Sequence, residues 1–575
     1  MTASLHRVKT LVTIVICLLL VCSSFAARAA NYHVTIYGLN KTMLANANKR
    51  IEISAKAMPS KPSAEDLQKF FEQVPHEIQL AIQPYGYFKA VVTERHPSSS
   101  RAIYSINLGA PIRLTEYEVI VQGPGRHHPD LKKVLSHLPL QKNDILNIDA
   151  YDDTQRTLFK FAETRGFIKA SIVEKKITLN LKTYRAGLKI VFDTGVQYYY
   201  GPVHFKQTTF YSRFLKRYVP FKTGQPYSTG ELLTLQDALQ GSSYFETVAI
   251  KPHTDATENL QIPIDVILTP RKAKTFTFGV GYGTDTGVRG TLGSEFRYLT
   301  ATGHRLQTML QVSSVINSLQ ARYLIPGSNP VTDQYSLNAT LFNFITPNDG
   351  SSIASKLGVG YSTLWRNWKI NTSLNSLLEH TYSSPNKPTS TQHVLYPFIT
   401  LNKVKADDPL FPTQGYSLNA NVRFGSQYLL SSNNNFIQVF GTGKYVYPIS
   451  TWGRVVARGT LGYSALAKIT DLPLSMQFFA GGSQSIRGFS YNSIGPGSIL
   501  IATGLEYQQK VYDQWYAIGY YDAGNASSSI HDPLLQSFGF GVMRRTIVGP
   551  ISISIARQLH GKGVRLVFNM GPDLA

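Results

Sequence analysis

Two textures of hydrophobic patterning divide the chain near residue 271. From Thr275 onward, apolar and polar residues alternate in segments of roughly ten residues. Phe276, Phe278, Val280 and Tyr282 share one face, with Thr277, Gly279 and Gly281 between them. Tyr335, Leu337, Ala339 and Leu341 alternate with Ser336, Asn338 and Thr340, and Tyr416, Leu418, Ala420, Val422 and Phe424 alternate with Ser417, Asn419, Asn421 and Arg423. Ile551, Ile553 and Ile555 repeat the pattern around Ser552 and Ser554. A period of two is that of a β-strand, whose side chains point to opposite faces in turn. No amphipathic helix of useful length interrupts this region of about 300 residues. It holds about sixteen such segments, an even number as single-chain bacterial barrels have. The final ones are Ser498–Val511, Trp515–Asn525, Gln536–Ile547, Pro550–Leu559 and Gly563–Gly571. An apolar face turned outward and a polar face turned inward is the pattern of a transmembrane barrel, because only closed hydrogen bonding survives in lipid. A soluble β-sandwich also alternates. The length of the region and the aromatics near strand ends favour the barrel. The glycine-bearing stretch from Ala467 to Gly497 is too long for a periplasmic turn and predicts an external loop, without structure of its own.

The first half repeats with a period of about 80 residues. Each unit opens with an extended apolar segment: His33–Leu39, Thr115–Gln122 and Tyr198–Lys206. Helical stretches come next, the later one clearest: Ala64–Gln83, Asp149–Arg165 and Ser228–Gln240, with Ser63, Asn147 and Ser228 as N-cap candidates. Each later helix stops at a small-aromatic pair or triplet, Gly86-Tyr87-Phe88, Gly166-Phe167 and Ser243-Tyr244-Phe245. Two strands close each unit: Phe88–Glu94 with Ala102–Leu108, Ile168–Lys175 with Gly187–Phe192, and Thr247–Lys251 with Ile262–Leu268. The order strand-helix-helix-strand-strand places two helices on one face of a small sheet. The joints, Gly109-Ala110-Pro111 and Asp193-Thr194-Gly195, are short and favour a stiff arm.

Composition sharpens this picture at three points. His6, Arg7 and Lys9 precede an apolar run, Leu11–Val21, and then Ala27-Arg28-Ala29, so residues 1–29 read as a secretory signal peptide. The run is shorter than the ~20 residues of a spanning helix, and Leu20-Val21-Cys22 lacks the small residue a lipoprotein site places before its cysteine. Both cysteines, Cys17 and Cys22, lie in that leader, which excludes disulfides and thiolate metal sites from the mature chain. The net charge of +22 is scattered with no dense basic run, which argues against nucleic acid and suits anionic headgroups.

Four fragments then occur in order. They are Asp408-Pro409-Leu410-Phe411-Pro412-Thr413-Gln414-Gly415-Tyr416, Gly481-Gly482-Ser483-Gln484-Ser485-Ile486-Arg487-Gly488-Phe489, Tyr520-Tyr521-Asp522-Ala523-Gly524, and Gly539-x-Gly541 followed by Gly549-Pro550. Together with the three repeats they resemble the BamA/TamA superfamily, whose sixth external loop carries a hydrophobic residue before Arg-Gly-Phe or Arg-Gly-Tyr. The resemblance implies an α+β arm of three POTRA domains (31–110, 111–194 and 195–270) followed by an all-β part, a 16-stranded antiparallel transmembrane β-barrel (271–575), in the outer membrane with the arm in the periplasm. Three units match the TamA branch, whereas BamA carries five and two-partner secretion transporters carry two with a plug helix. Met570-Gly571-Pro572-Asp573-Leu574 is also similar to that branch, while the last aromatic, Phe568, departs from barrels that end on one. The implied role is to help insert or translocate outer-membrane proteins such as autotransporters, with a TamB-like inner-membrane-anchored partner, and to move phospholipid to the outer membrane. A BamA-like general insertase or a two-partner secretion pore is the alternative.

The implied site is a loop anchor in the barrel lumen: Ile486, Arg487, Gly488 and Phe489 against Glu506, Asp522 and Gly524. Asp522 shares a face with Tyr520 and Gly524, and a carboxylate facing lipid would be costly, so this face is assigned to the lumen. An arginine fork suits two carboxylate oxygens. Gly488 is expected to let the loop tip turn, and Phe489 to pack on lumenal aromatics. Gly279, Gly281 and Gly283 weaken the first strand, which closes the barrel if Phe276–Gly287 pairs with Gly563–Gly571; they mark either a seam that opens or room for a lumen filler. No catalytic motif is legible, His127-His128 reads as a solvated pair and Asp152-Asp153 as a helix start, so neither enzyme activity, cofactor nor metal is expected.

Overall fold

The computed structural model describes residues 32–571 apart from 60–61, 256, 258, 286, 349, 383–388, 429–434, 548 and 562. The expected signal peptide and residues 572–575 lie outside the described residues. The chain divides into two compact units. One is built on the first two repeats with short pieces of the third (223–230 and 254–262), the other on the rest of the third repeat with the whole barrel.

Each repeat is a three-stranded sheet with helices, and in each the last strand is central. In the first, Arg101–Asn107 runs parallel to His33–Tyr37 and antiparallel to Val91–Ser98. The second repeats this with Arg185–Asp193 between Arg113–Gln122 and Ser171–Asn180, and in the third Gln261–Pro270 lies between Tyr199–Lys206 and Phe245–Pro252. The later helices run Ala64–Ile82, Ile148–Thr164 and Thr229–Gly241. Ser63 and Asp66 form a reciprocal capping box at the first, and Asn147 accepts from the Asp149 amide at the second. Pro75 sits inside the first of these helices and has no N–H for the Phe71 carbonyl four residues back. The buried Tyr104 hydroxyl donates to that carbonyl instead, at 3.0 Å.

The helix stops have a common use. Gly86 and Gly166 are left-handed, with φ of +88° and +85°, and Ser243 takes φ +66° at the equivalent place. The freed carbonyl at each stop accepts from the first residues of the next unit: Ile112 N to Gly86 O at 2.8 Å, Tyr198 N to Gly166 O at 2.7 Å, and Arg271 N to Tyr244 O at 2.8 Å. A short joint is therefore tied to the preceding helix end by a backbone bond.

Sixteen antiparallel strands form the barrel sheet. Strands 1 to 8 are Lys274–Gly283, Gly287–Phe296, Arg305–Ser313, Ser318–Pro326, Gln334–Thr346, Gly350–Trp365, Trp368–Thr381 and Ser390–Ala406. Strands 9 to 16 are Gly415–Gly425, Phe436–Ser450, Gly453–Ala465, Ile499–Tyr512, Trp515–Ser527, Leu535–Thr546, Gly549–Gln558 and Val564–Met570. The alternation read in the sequence faces as expected: Phe276, Phe278 and Val280 are 61%, 80% and 90% exposed on the outer face, while Thr275, Thr277 and Thr291 line a polar lumenal cavity of about 940 Å³. The chain enters strand 1 from the repeats, so turns after even-numbered strands lie at the periplasmic end and those after odd-numbered strands at the external end. The stretch between strands 11 and 12 is the sixth external loop. Contrary to expectation it has structure of its own, two 3-10 turns and a hairpin of Phe478–Ala480 with Ile494–Gly497. It is built this way because its apolar residues, Leu472, Met476, Phe478 and Ile486 among them, bury inside the barrel.

Within the barrel's compact unit, the third repeat docks on the periplasmic turn between strands 2 and 3. The Tyr244 hydroxyl donates to Gly303 O at 2.5 Å, and Phe210 meets Tyr298 edge-on at 5.2 Å. Gly303 has φ +79°, and a Cβ there would lie 2.5 Å from the Phe214 ring. Gly303→Ala is expected to loosen this contact by about 1–3 kcal/mol. Hydrogen exchange of the full chain should then rise in 298–305 and in the Ser212–Tyr218 turns, leaving strands 9 to 13 protected; unchanged exchange would contradict the docking.

Candidate functional site: a loop anchored across five strands

Cross-strand register builds the site. Arg458 pairs with Gly504, Gly504 with Asp522, Asp522 with Ser537 and Ser537 with Gln558, one row across strands 11 to 15. All five positions have lumenal parity, and the tip of the sixth loop meets four of them. Arg458 Nη1 and Nη2 donate to the carbonyls of Ser483 and Ser485, each at 2.9 Å. The Arg487 fork grips Asp522, Nε to Oδ2 at 2.7 Å and Nη2 to Oδ1 at 3.0 Å, and the Arg487 amide adds a bond to Oδ2 at 3.2 Å. The Gly488 amide donates to Ser537 Oγ at 3.2 Å, and Gln558 Nε2 donates to Gly488 O at 3.0 Å. Gly504 keeps the middle of the row bare, since a Cβ there would lie 2.5 Å from Arg458 Nε and 2.6 Å from Asp522 Oδ1.

The adjacent row holds Glu506 opposite Tyr520. Arg487 Nη1 pairs with Glu506, and its guanidinium lies 3.2 Å from the Tyr520 ring centroid. Arg458 Nη2 adds a second bond to Asp522 Oδ1 at 2.8 Å. Asp522 is completely buried and Arg487 only 8% exposed. Two guanidiniums thus face two carboxylates with no net charge, the condition under which buried ions are tolerated.

Of the residues singled out in the sequence, Arg487, Glu506 and Asp522 form the ion-pair cluster. Ile486 is buried with Phe478, Ala480 and Leu500, and Phe489 packs on the same cluster. Gly488 does not make the turn that was expected of it. The left-handed glycines are Gly481 and Gly482, both at φ +99°, whereas Gly488 is needed for close approach, a Cβ there lying 2.6 Å from Ser537 Cβ. Gly524 stands two residues beyond Asp522, where a Cβ would come 3.1 Å from that of Ala502. Arg458, Ser537 and Gln558 were not foreseen. Their parity was readable, but nothing along the chain shows which residues share a row.

Two further contacts hold the loop. Upstream, Glu379 on strand 7 accepts from the Ser475 amide at 3.0 Å and from its hydroxyl, while Arg423 donates to Met476 O at 3.0 Å. Downstream, the loop tip reaches both barrel ends. Ser483 N donates to Asp285 Oδ2, in the turn after strand 1, at 2.6 Å, and Arg565 on strand 16 donates to Ser490 Oγ at 2.5 Å. Between those two strands the expected pairing of Phe276–Gly287 with Gly563–Gly571 is not found. No ladder joins strands 1 and 16 among the described residues, and the seam has Phe568 N donating to Thr284 Oγ1 at 3.4 Å with the Tyr282 and Phe568 rings 6.4 Å apart. Strand 16 has seven residues, too few to pair the ten of strand 1 along their length. Gly279 and Gly281 leave room for Thr291 and Arg289 of strand 2, and Gly283 pairs with Gly287 at the hairpin end.

A sixteen-stranded barrel preceded by three α/β repeats, with its sixth loop folded inside, defines the class: an outer-membrane POTRA-barrel protein with its repeats in the periplasm. The Omp85 superfamily domain matches residues 272–572, and the chain belongs to that superfamily. The POTRA domain known as TamA domain 1 matches residues 33–108. Among curated relatives the chain is similar to the outer membrane protein assembly factor BamA of Neisseria meningitidis serogroup B, 20% identical over 54% of this chain and 40% of that protein. It is 23% identical to BamA of Buchnera aphidicola over 38% of this chain and 35% of that protein. The chain thus spans two fifths or less of the curated relatives it matches. The crystal structure of BamA from Haemophilus ducreyi lacking POTRA domains 1–3 shares the fold, with a TM-score of 0.65 and 16% identity over 80% of this chain and 99% of that one.

Removing one partner of a buried ion pair typically costs about 3–5 kcal/mol. Arg487→Ala is expected to make the 466–498 loop protease-sensitive while the barrel keeps its heat-modifiable gel mobility, with Arg487→Lys intermediate because an ammonium cannot make the fork. Wild-type protease resistance in Arg487→Ala would show that the cluster does not hold the loop.

Proposed function

We propose that the chain is an outer-membrane assembly factor that helps insert or translocate outer-membrane proteins, autotransporters among them, by presenting the free edge of strand 1. The single observation behind this reading is the unladdered seam. Strand 1 pairs with strand 2 on one side, and its other edge carries N–H and C=O groups that an incoming strand can satisfy. In lipid such groups are costly to leave bare, so an incoming strand gains more there than it would at an edge in water. In this reading the loop anchor at Arg487, Asp522 and Glu506 keeps the lumen filled while the seam works. The match of the first repeat to a TamA-type POTRA domain supports a TamB-like inner-membrane-anchored partner at residues 31–110, and with it delivery of phospholipid to the outer-membrane lipids.

A second reading, a secretion pore, draws on the polar cavity of about 940 Å³ under strands 1 to 8. A BamA-like general insertase would share the seam chemistry and differ in its partners.

A disulfide between Thr284→Cys and Phe568→Cys, in a mature chain otherwise free of cysteine, is expected to abolish assembly of substrate barrels and to restore it on reduction. Undiminished assembly with the seam locked would overturn the edge-template mechanism, and steady porin-like currents from the purified protein would favour the pore. Photocrosslinking from residues 31–110 of the full chain is expected to capture a large inner-membrane-anchored β-rich protein. Recovery of outer-membrane lipoproteins alone would favour the general insertase.

A further inference from the structure

All four tryptophans of the protein lie at one end of the barrel. Trp365 and Trp368 flank the turn between strands 6 and 7, Trp452 sits in the turn between strands 10 and 11, and Trp515 opens strand 13. By strand order each of these turns is periplasmic. Three of the four carry a cation: Arg366 stands 5.3 Å from the Trp365 ring, Lys403 5.2 Å from Trp368, and Arg544 5.4 Å from Trp515.

The first two pairs form one patch. Trp365 and Trp368 are cross-strand partners, and Lys369 pairs with Asn402, which sets Trp368 opposite Lys403. The face is outward, since the parity of Trp365 is that of the exposed Leu357 and Val359, while Lys369, Asn371 and Asn402 line the lumen. Lys405 follows Lys403 on the same face, opposite Tyr416. Among the described residues no carboxylate lies within ion-pair distance of Arg366, Lys403 or Lys405. The two nearest in sequence are engaged elsewhere: Asp407 accepts from the amides of Thr413 and Gln414 at 2.9 and 3.1 Å, and Asp408 pairs with Arg545 at 2.9 Å.

We propose that Arg366, Lys403 and Lys405, with Trp365 and Trp368, form a binding site for the headgroup phosphate of an anionic phospholipid in the periplasmic leaflet. The indole rings seat at headgroup depth, where an amphipathic ring has one apolar side and one wet side. The three cations, left without counter-ions by the protein, then meet phosphate at the height of the rings. A zwitterionic headgroup carries its own compensating ammonium and gains less. The outward face of the barrel thereby selects a lipid charge class at one stretch of its rim. The site stands apart from the seam and the loop anchor, so its failure would leave the proposed function untouched.

The test uses the full chain with Trp452→Phe and Trp515→Phe, which leaves Trp365 and Trp368 as the fluorescent reporters. It is reconstituted in phosphatidylethanolamine bilayers containing equal small fractions of either brominated phosphatidylglycerol or brominated phosphatidylethanolamine. The expected result is stronger quenching by the anionic lipid, with the apparent affinity falling about fivefold for each of Arg366→Gln, Lys403→Gln and Lys405→Gln. Heat-modifiable gel mobility verifies that each variant is folded, and Lys403→Arg is expected to retain the preference. Equal quenching by the two lipids would overturn the proposal. Preferential quenching that all three glutamine variants retain would overturn its assignment to these residues.

Discussion

Asp522 is a completely buried carboxylate inside a membrane-spanning barrel, and much of the molecule is arranged around compensating its charge. An unpaired ion there would cost several kcal/mol, so the carboxylate needs cations and hydrogen bonds from every open direction. Arg458 supplies one guanidinium from two strands away, across a glycine that keeps the path clear. The barrel wall supplies no second one. It comes from the sixth loop, whose Arg487 enters the lumen to complete the pair. A loop that would otherwise stand in solvent is drawn inside by an electrostatic deficit in the wall, and its apolar residues then fill the space that the side chains of the wall leave.

The position of the seam bears on the same loop. Strands 2 to 15 satisfy both edges, whereas strand 1 is paired on one side. The loop tip touches Asp285 beside strand 1 and Arg565 on strand 16, so the two barrel ends are joined through the loop where they are not joined to each other. A bond through the loop is a side-chain contact and can be exchanged singly, whereas a ladder of backbone bonds breaks only as a set. That difference is what lets an edge remain usable in lipid.

At the other end of the barrel the third repeat is held by the Tyr244 hydroxyl, a tight glycine and a cluster of aromatic rings. The repeats are joined by single backbone bonds from helix-stop carbonyls, a device that appears at Gly86, Gly166 and Tyr244. The same local signal, a helix that ends on a small residue in the left-handed region, therefore ends an element and fastens the next one to it.

The sequence by itself determined what the backbone period imprints. An alternation of two is forced by strand geometry, so the outward Phe276, Phe278 and Val280 and the inward threonines could be read directly, as could the number of strands and the order of elements in each repeat. The charged candidates at 487, 506 and 522 were readable because a carboxylate of inward parity needs a cation. Only the tertiary structure decided which residues share a row. Arg458 meets Asp522 across 64 positions, and a register shifted by one residue would turn either side chain to lipid. Register follows from turn geometry and the tilt of the strands, which are properties of the whole sheet. For the same reason the missing ladder at the seam, the loop folded inward and the gathering of all four tryptophans with their cations at one rim could not be seen along the chain. Each depends on the height at which a strand sits relative to its neighbours, and residue spacing carries no record of that.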